Sequence, residues 1–182
     1  EAPNIQLHYA PAMVIDHGRK SAWGTGLSCH SCLLRPKSRG EVTLESADPF
    51  ADPLIDPKFL THPDDMQDMI DGYKAMMKVL NNASFSKYIS QNTQRPIDIN
   101  DDADIEKAIR EEADTVYHPV GTCKMGDDDM SVVSSDLKVH KMKGLRVVDA
   151  SIMPTLVGGN TNAPTIMIGE KASDLILNEW RI

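Results

Sequence analysis

The 182-residue chain has a formal net charge of −8 and is 41% hydrophobic by residue type, a globular composition with enough apolar material for one domain-sized core. Its acidic balance argues against nucleic acid or an anionic membrane surface as partners, since both require basic patches. No run of about 18 apolar residues is present to span a bilayer, and Glu1-Ala2-Pro3-Asn4 shows neither the charged nor the apolar region of a signal peptide.

Residues 5–13 alternate partly and carry β-formers, which predicts a strand. A polar turn follows at Asp16-His17-Gly18-Arg19-Lys20-Ser21, and Trp23-Gly24-Thr25-Gly26 continues the loop. A second strand is expected over 28–34 and a third, half-exposed one over 41–46, where polar and apolar residues alternate. The turn signal Pro36-Lys37-Ser38-Arg39-Gly40 lies between them, so these two strands are expected to pair as a hairpin or lie as near neighbours. Pro49, Pro53 and Pro57 forbid a helix over 48–57 and hold it extended.

Thr61-His62-Pro63-Asp64 supplies a cap, a first-turn proline and early acids for a long helix. Its apolar residues Met66, Met69, Ile70, Tyr73, Met76, Met77 and Leu80 recur at spacings of three and four, and this methionine stripe reads as core rather than as a binding groove. Asn81-Asn82 ends the helix, a shorter one is expected over 84–91, and Pro96-Ile97-Asp98 is extended. Asp101-Asp102 caps a further helix over 103–113 with Ile105, Ala108 and Ile109 inward. A short buried strand is expected over 145–148, and a final helix over 162–178 with Pro164 in its first turn. Strands first, then helices, then one strand and one helix predict an α+β fold, an antiparallel sheet with helices packed on one face.

An odd, small set of cysteines, Cys29, Cys32 and Cys123, suits a reducing compartment better than a disulfide scaffold. Cys29-His30-Ser31-Cys32 is formally a C-x-x-C, but on a strand the two thiols point to opposite faces and no second Cys/His pair follows at zinc spacing. They read as structural thiols, and no metal is expected. The acidic clusters at 98–104 and 127–129 read as solvated caps and loops, lacking the alternating oxygen ligands, central Gly and terminal Glu of a calcium loop.

Two turns carry chemistry. In Tyr117-His118-Pro119-Val120-Gly121-Thr122, Pro119 restrains His118 to extended backbone angles and Gly121 permits a sharp turn or a close approach. A restrained imidazole is suited to proton transfer at neutral pH. In Gly158-Gly159-Asn160-Thr161-Asn162-Ala163-Pro164-Thr165 a loop opens a helix, whose free N–H groups and positive end favour a group that becomes negative. Asn162 is read as the helix cap, which leaves the Asn160 amide free to face a pocket and donate to an alcohol or alkoxide oxygen. Together the two turns suit removal of a proton from an alcohol while a bound cofactor takes the hydride.

These two segments, with Val147-Val148-Asp149-Ala150-Ser151 between them, closely resemble the C-terminal signature of the glucose–methanol–choline (GMC) flavin oxidoreductases. The likeness extends to Arg35-Pro36-Lys37-Ser38-Arg39-Gly40 and Asp52-Pro53-Leu54-Ile55-Asp56-Pro57. The resemblance implies that His118 is the catalytic histidine and Asn160 the second catalytic residue. It implies that Asp149 and Ala150 contact the flavin largely by backbone, and that Asn162, Ala163, Pro164 and Thr165 form the helix start facing its pyrimidine edge.

No Gly-x-Gly-x-x-Gly fingerprint is present. By the same resemblance, 1–142 is the substrate-binding portion with the catalytic histidine loop, and 143–182 is a strand-loop-helix that completes the FAD-binding domain of a larger enzyme. The implied partners are a small-molecule alcohol and the N-terminal FAD-binding part of the same polypeptide. FAD is expected in the complete enzyme and not on these residues alone. The expected location is cytoplasmic, or peripheral at the inner membrane through an electron acceptor.

The leading reading is an FAD-dependent alcohol dehydrogenase of the choline-dehydrogenase type. An oxidase passing electrons to oxygen is the enzyme alternative, and a catalytically silent binding or assembly domain is the alternative of another class. Choline, aliphatic alcohols and polyethers all fit the motif. Trp23 and Tyr9 either stack on a quaternary ammonium or pack on their own strands.

Overall fold

The computed structural model describes residues 2–20, 23–89 and 96–180. The chain divides into two compact units, residues 1–38 with 59–116 and residues 39–58 with 117–182.

In the first unit, strands β1 (Ile5–Ala10) and β2 (Ser28–Leu33) pair antiparallel, with Ile5 opposite Leu33 and Ala10 opposite Ser28. Helix α1 (Pro63–Leu80) packs against both strands. It starts as its sequence dictates: Pro63 occupies the first helical position, and the Asp64 amide donates to His62 Nδ1 at 3.2 Å. The methionine stripe is core. Met66, Ile70, Tyr73 and Met76 are buried together with Ile105 and Ile109 of helix α3 (Asp102–Glu112), and Cys29 packs on the same cluster. Gly72 lets β1 approach α1 closely, since a Cβ there would lie 3.0–3.2 Å from the Ile5 side chain. Asn82 caps the short helix α2 (Ala83–Ser86), and Asp101 caps α3 by accepting from the Ala103 amide. The residues beyond 89 in the expected 84–91 helix, and Ser21 of the first polar turn, lie outside the described residues.

The expected pairing across Pro36–Gly40 does not form. Among the described residues strand β2 pairs only with β1, and β3 (Glu41–Thr43) pairs with β4 (Leu54–Asp56) in the second unit, Val42 opposite Ile55. The turn residues are used differently. The amides of Lys37 and Ser38 donate to the Asp65 carboxylate, which is 1% exposed, so this segment is held at the start of α1 instead of closing a hairpin. Gly40 lies against the other partner: a Cβ there would sit 2.3 Å from the Asp56 carbonyl oxygen.

The second unit has its own core of Val133, Leu137, Ile152, Met153, Ile168 and Ala172, the last two from helix α4 (Asn162–Trp180). Isolated bridges, Met125 to Val133, Val133 to Val139 and Lys138 to Arg146, connect its loops. The strand expected over 145–148 reduces to the last of these. Val139 donates to the Leu145 carbonyl and Val147 to that of Leu137, while Leu145 and Val148 are exposed. Glu179 near the end of α4 accepts from Lys138 and Arg146 at 2.9 and 2.6 Å.

Small antiparallel sheets with helices are compatible with the α+β class, but among the described residues the strands form two separate pairs rather than one sheet. Among the described residues no helix is long and apolar enough to cross a membrane.

Candidate active site

The backbone around His118 is held in unusual geometry. Tyr117 sits at φ 61° and Gly121 at φ 87°; the first is costly for a bulky side chain, and the second is open only to glycine at little cost. Past Gly121 the loop is fastened to the stretch that follows Asp149. Cys123 donates to the Ser151 carbonyl at 3.0 Å and Met125 to that of Ile152 at 2.7 Å. A Cβ on Gly121 would approach the Met153 carbonyl oxygen to 3.2 Å.

Asp149 does its work locally. Its carboxylate accepts from the Ser151 amide at 2.7 Å and caps a single 3-10 turn, Ala150–Ile152. The Asp149 and Ala150 carbonyls accept from the Ile152 and Met153 amides, which leaves their own amides, without an acceptor among the described residues, as the main-chain groups this turn can offer a ligand. Ile152 and Met153 behind it are buried in the second core.

The chain then returns through Gly158-Gly159 to Asn160, which is exposed and makes no hydrogen bond to another described residue. Thr161 is 7% exposed. Its hydroxyl Oγ1 lies 2.6 Å from His118 Nδ1, and its carbonyl accepts from both the amide and the hydroxyl of Thr165, at 3.0 and 2.7 Å. Thr161 therefore occupies the cap position of α4, and Asn162, expected to be the cap, is the first helical residue. Ala163 and Pro164 follow as second and third. The amides of Asn162 and Ala163 find no acceptor among the described residues. This uncapped donor pair at the positive end of a helix fits an electron-rich ring edge.

The structure thus joins the His118 loop to the residue beside Asn160, and to the stretch after Asp149 and Ala150. It does not bond the His118 imidazole to the Asn160 amide directly. The partnership of Thr161 with His118 was missed in the sequence, although one cue existed: Pro164 at the third helical position has no N–H for a cap hydroxyl to bind.

The aromatic candidates are disposed differently. Tyr9 meets Phe85 edge-on, with ring centroids 6.0 Å apart, and Trp23 is 97% exposed. Burial pushes the thiols of Cys29 and Cys32 up in pKa, which makes them less reactive. Among the described residues no group of three or more His, Cys, Asp or Glu side chains is arranged to hold a metal ion.

The family model described as GMC oxidoreductase matches residues 36–169, a span that includes His118, Asp149, Asn160 and the start of α4. The chain belongs to the GMC oxidoreductase family. It is 48% identical over 179 residues to an alcohol dehydrogenase [acceptor] of Pseudomonas putida, covering 98% of this chain and 32% of that protein. It is 42% identical over 174 residues to an oxygen-dependent choline dehydrogenase of Klebsiella pneumoniae, covering 96% and 31%. Among solved structures, a formate oxidase of Aspergillus oryzae superposes with a TM-score of 0.90 at 29% identity, covering 98% of this chain and 32% of the other. The chain spans about a third of the length of these GMC relatives.

Proposed function

We propose that the complete enzyme is an FAD-dependent dehydrogenase that oxidises a primary alcohol, choline or an aliphatic one, to the aldehyde, and that these residues are its C-terminal part. The observation that carries the proposal is the 2.6 Å contact of His118 with Thr161, which sets the imidazole beside the segment bearing Asn160. In this reading the substrate oxygen lies between the two side chains. His118 accepts the hydroxyl proton at Nε2. The Asn160 amide donates to the same oxygen and holds it in line, and such positioning contributes several kcal/mol in favourable cases, roughly 7–11 at the limit. Bound FAD supplies the hydride acceptor. The main chain of Asp149 and Ala150 and the α4 start at Asn162, Ala163, Pro164 and Thr165 are the residues we assign to holding it.

Residues 1–142 are assigned to the substrate side and 143–182 to completion of the FAD-binding domain. The second assignment is supported by α4, which buries Ile168 and Ala172 yet leaves Ile166, Met167 and Leu177 exposed. A helix apolar on more than one face is suited to being covered on more than one side. The partner proposed for it is the FAD-binding part of the same polypeptide. The proposed location is cytoplasmic, with electrons leaving to an acceptor at the inner membrane; the three free thiols are compatible with a reducing compartment.

A second reading, an oxidase, is favoured by structural relatives named as a formate oxidase and as a pyridoxine 4-oxidase at 26% identity. Oxygen consumption by the complete enzyme, compared with dye reduction across a panel of alcohols, separates the two and ranks the substrates. The catalytic assignment is tested by His118→Ala in the complete enzyme. Anaerobic flavin reduction is expected to slow by about 10²- to 10⁴-fold, the size of a general-base effect; near-normal reduction refutes it.

A further inference from the structure

We infer that Thr161 is the positioning residue of the proposed base: its hydroxyl oxygen accepts the Nδ1–H of His118 and so keeps the Nε2 lone pair free for the substrate's proton. The inference deepens the function proposed above and rests on it.

Three observations support it. The Nδ1 to Oγ1 separation is 2.6 Å, a short hydrogen bond, between a half-buried imidazole and a threonine that is 7% exposed. The threonine is immobilised, because its carbonyl is the acceptor for both the amide and the hydroxyl of Thr165 and a β-branched side chain has few χ1 options. One of its two ordinary cap partners is also withdrawn. A threonine at a helix cap usually turns its hydroxyl onto the second or third helical amide. The third residue here is Pro164, which has no N–H, and the hydroxyl is turned to the imidazole instead.

Chemistry decides the direction of the bond. A neutral imidazole carries one N–H, and the partner of one nitrogen sets the state of the other. A hydroxyl can donate or accept. If Thr161 donated to Nδ1, the proton of the ring would sit on Nε2 and nothing there could accept from an alcohol. With Nδ1–H donating to Oγ1, Nε2 is basic. When Nε2 takes the alcohol's proton, Nδ1 keeps its own, and the same bond becomes charge-assisted with no rotation of either side chain. Tyr117 and Gly121, at positive φ, flank His118 along the chain, and Gly121 lies against the Met153 carbonyl.

The test uses the complete flavoenzyme with Thr161→Val, Thr161→Ser and His118→Ala. Stopped-flow reduction without oxygen gives the limiting rate separately from the substrate dissociation constant. Thr161→Val is expected to lower the limiting rate roughly 10- to 100-fold, the usual effect of losing a partner that orients a working imidazole, with substrate binding little changed. Thr161→Ser, which keeps the hydroxyl, is expected to recover most of the rate. Nitrogen-15 spectra of the histidine-labelled wild-type enzyme, which need no variant to fold, should show the His118 proton on Nδ1. A proton found on Nε2, or wild-type reduction by Thr161→Val while His118→Ala is slow, overturns the role of Thr161 alone. Normal reduction by His118→Ala removes the functional reading with it.

Discussion

Asp65→Asn is the sharpest test of how the first unit is held together. The Asp65 carboxylate is 1% exposed. One oxygen accepts from the Lys37 amide at 2.8 Å, the other from the Ser38 amide at 2.7 Å and the Ser38 hydroxyl at 2.5 Å. Asparagine has the same shape but only one acceptor oxygen. In either orientation its NH2 faces a part-buried backbone N–H, leaving that donor without its acceptor at a cost of up to about 3 kcal/mol. The bond or bonds that remain change from charge-assisted to neutral and lose about half their strength. Offsetting this, a buried ion no longer has to be desolvated. The net loss is about 2–4 kcal/mol, which should accelerate amide exchange at Lys37 and Ser38 roughly 30- to 700-fold if they exchange through opening of this segment.

The same carboxylate predicts a pH dependence. Burial pushes the Asp65 carboxyl up in pKa, but the Lys37 amide, the Ser38 hydroxyl and amide and the nearby His62 outweigh it, and the net shift is downward. A carboxyl depressed in the folded state contributes its full stability above its unfolded pKa, about 3.9, and loses it as pH falls through the folded value. The gap between wild type and Asp65→Asn should therefore be constant near neutrality and close below about pH 4. Hydrogen exchange with mass spectrometry on a peptide covering 35–40 reads the neutral-pH effect, and thermal unfolding over a pH series reads the second. Unchanged protection of Lys37 and Ser38 in the variant at neutral pH would show that the carboxylate does not hold this segment.

Gly40→Ala should loosen the β3–β4 pair, because its Cβ would lie 2.3 Å from the Asp56 carbonyl oxygen and 2.6–2.7 Å from the Pro57 backbone; a cost of about 1–3 kcal/mol is expected, seen as faster proteolysis within 39–58. Ile105→Ala empties a site that is 0% exposed between α1 and α3, and should destabilise the first unit by about 2–5 kcal/mol in urea unfolding. Ile105→Val is expected to cost only about 0.5–1.5 kcal/mol.

The parts of the fold visible in the sequence were those fixed by near neighbours. Helix α1 announces itself through Pro63, the early acids and a stripe at spacings of three and four, and Asp101 marks the start of α3 one residue ahead of it. Pairing between strands is a competition among distant segments, and local signals do not settle it. Pro36–Gly40 has the composition of a hairpin turn, yet Asp65, 27 residues from Ser38, takes its amides, and β4 takes β3. In sequence Asp65 was one more acid in a first turn, its role indistinguishable from that of the exposed Asp64. The segment 145–148 reads as a strand by composition, but its neighbours at 137–139 supply one bridge and no ladder.

The candidate site follows the same division. The helix opened at Asn162 is local, and it was legible. The bond that gives the site its geometry, from His118 to Thr161, spans 43 residues, and only folding reveals it. One local cue did anticipate it. A threonine at a helix cap with proline two residues into the helix beyond the first position cannot place its hydroxyl on the third amide, so the hydroxyl is left to the second amide or to a partner elsewhere in the chain. If Thr161 orients the proposed base, Pro164 contributes by withholding one of the two helical amides that compete for the Thr161 hydroxyl. Replacing Pro164 with alanine restores that amide, and so tests whether the helix start and the base compete for one hydroxyl.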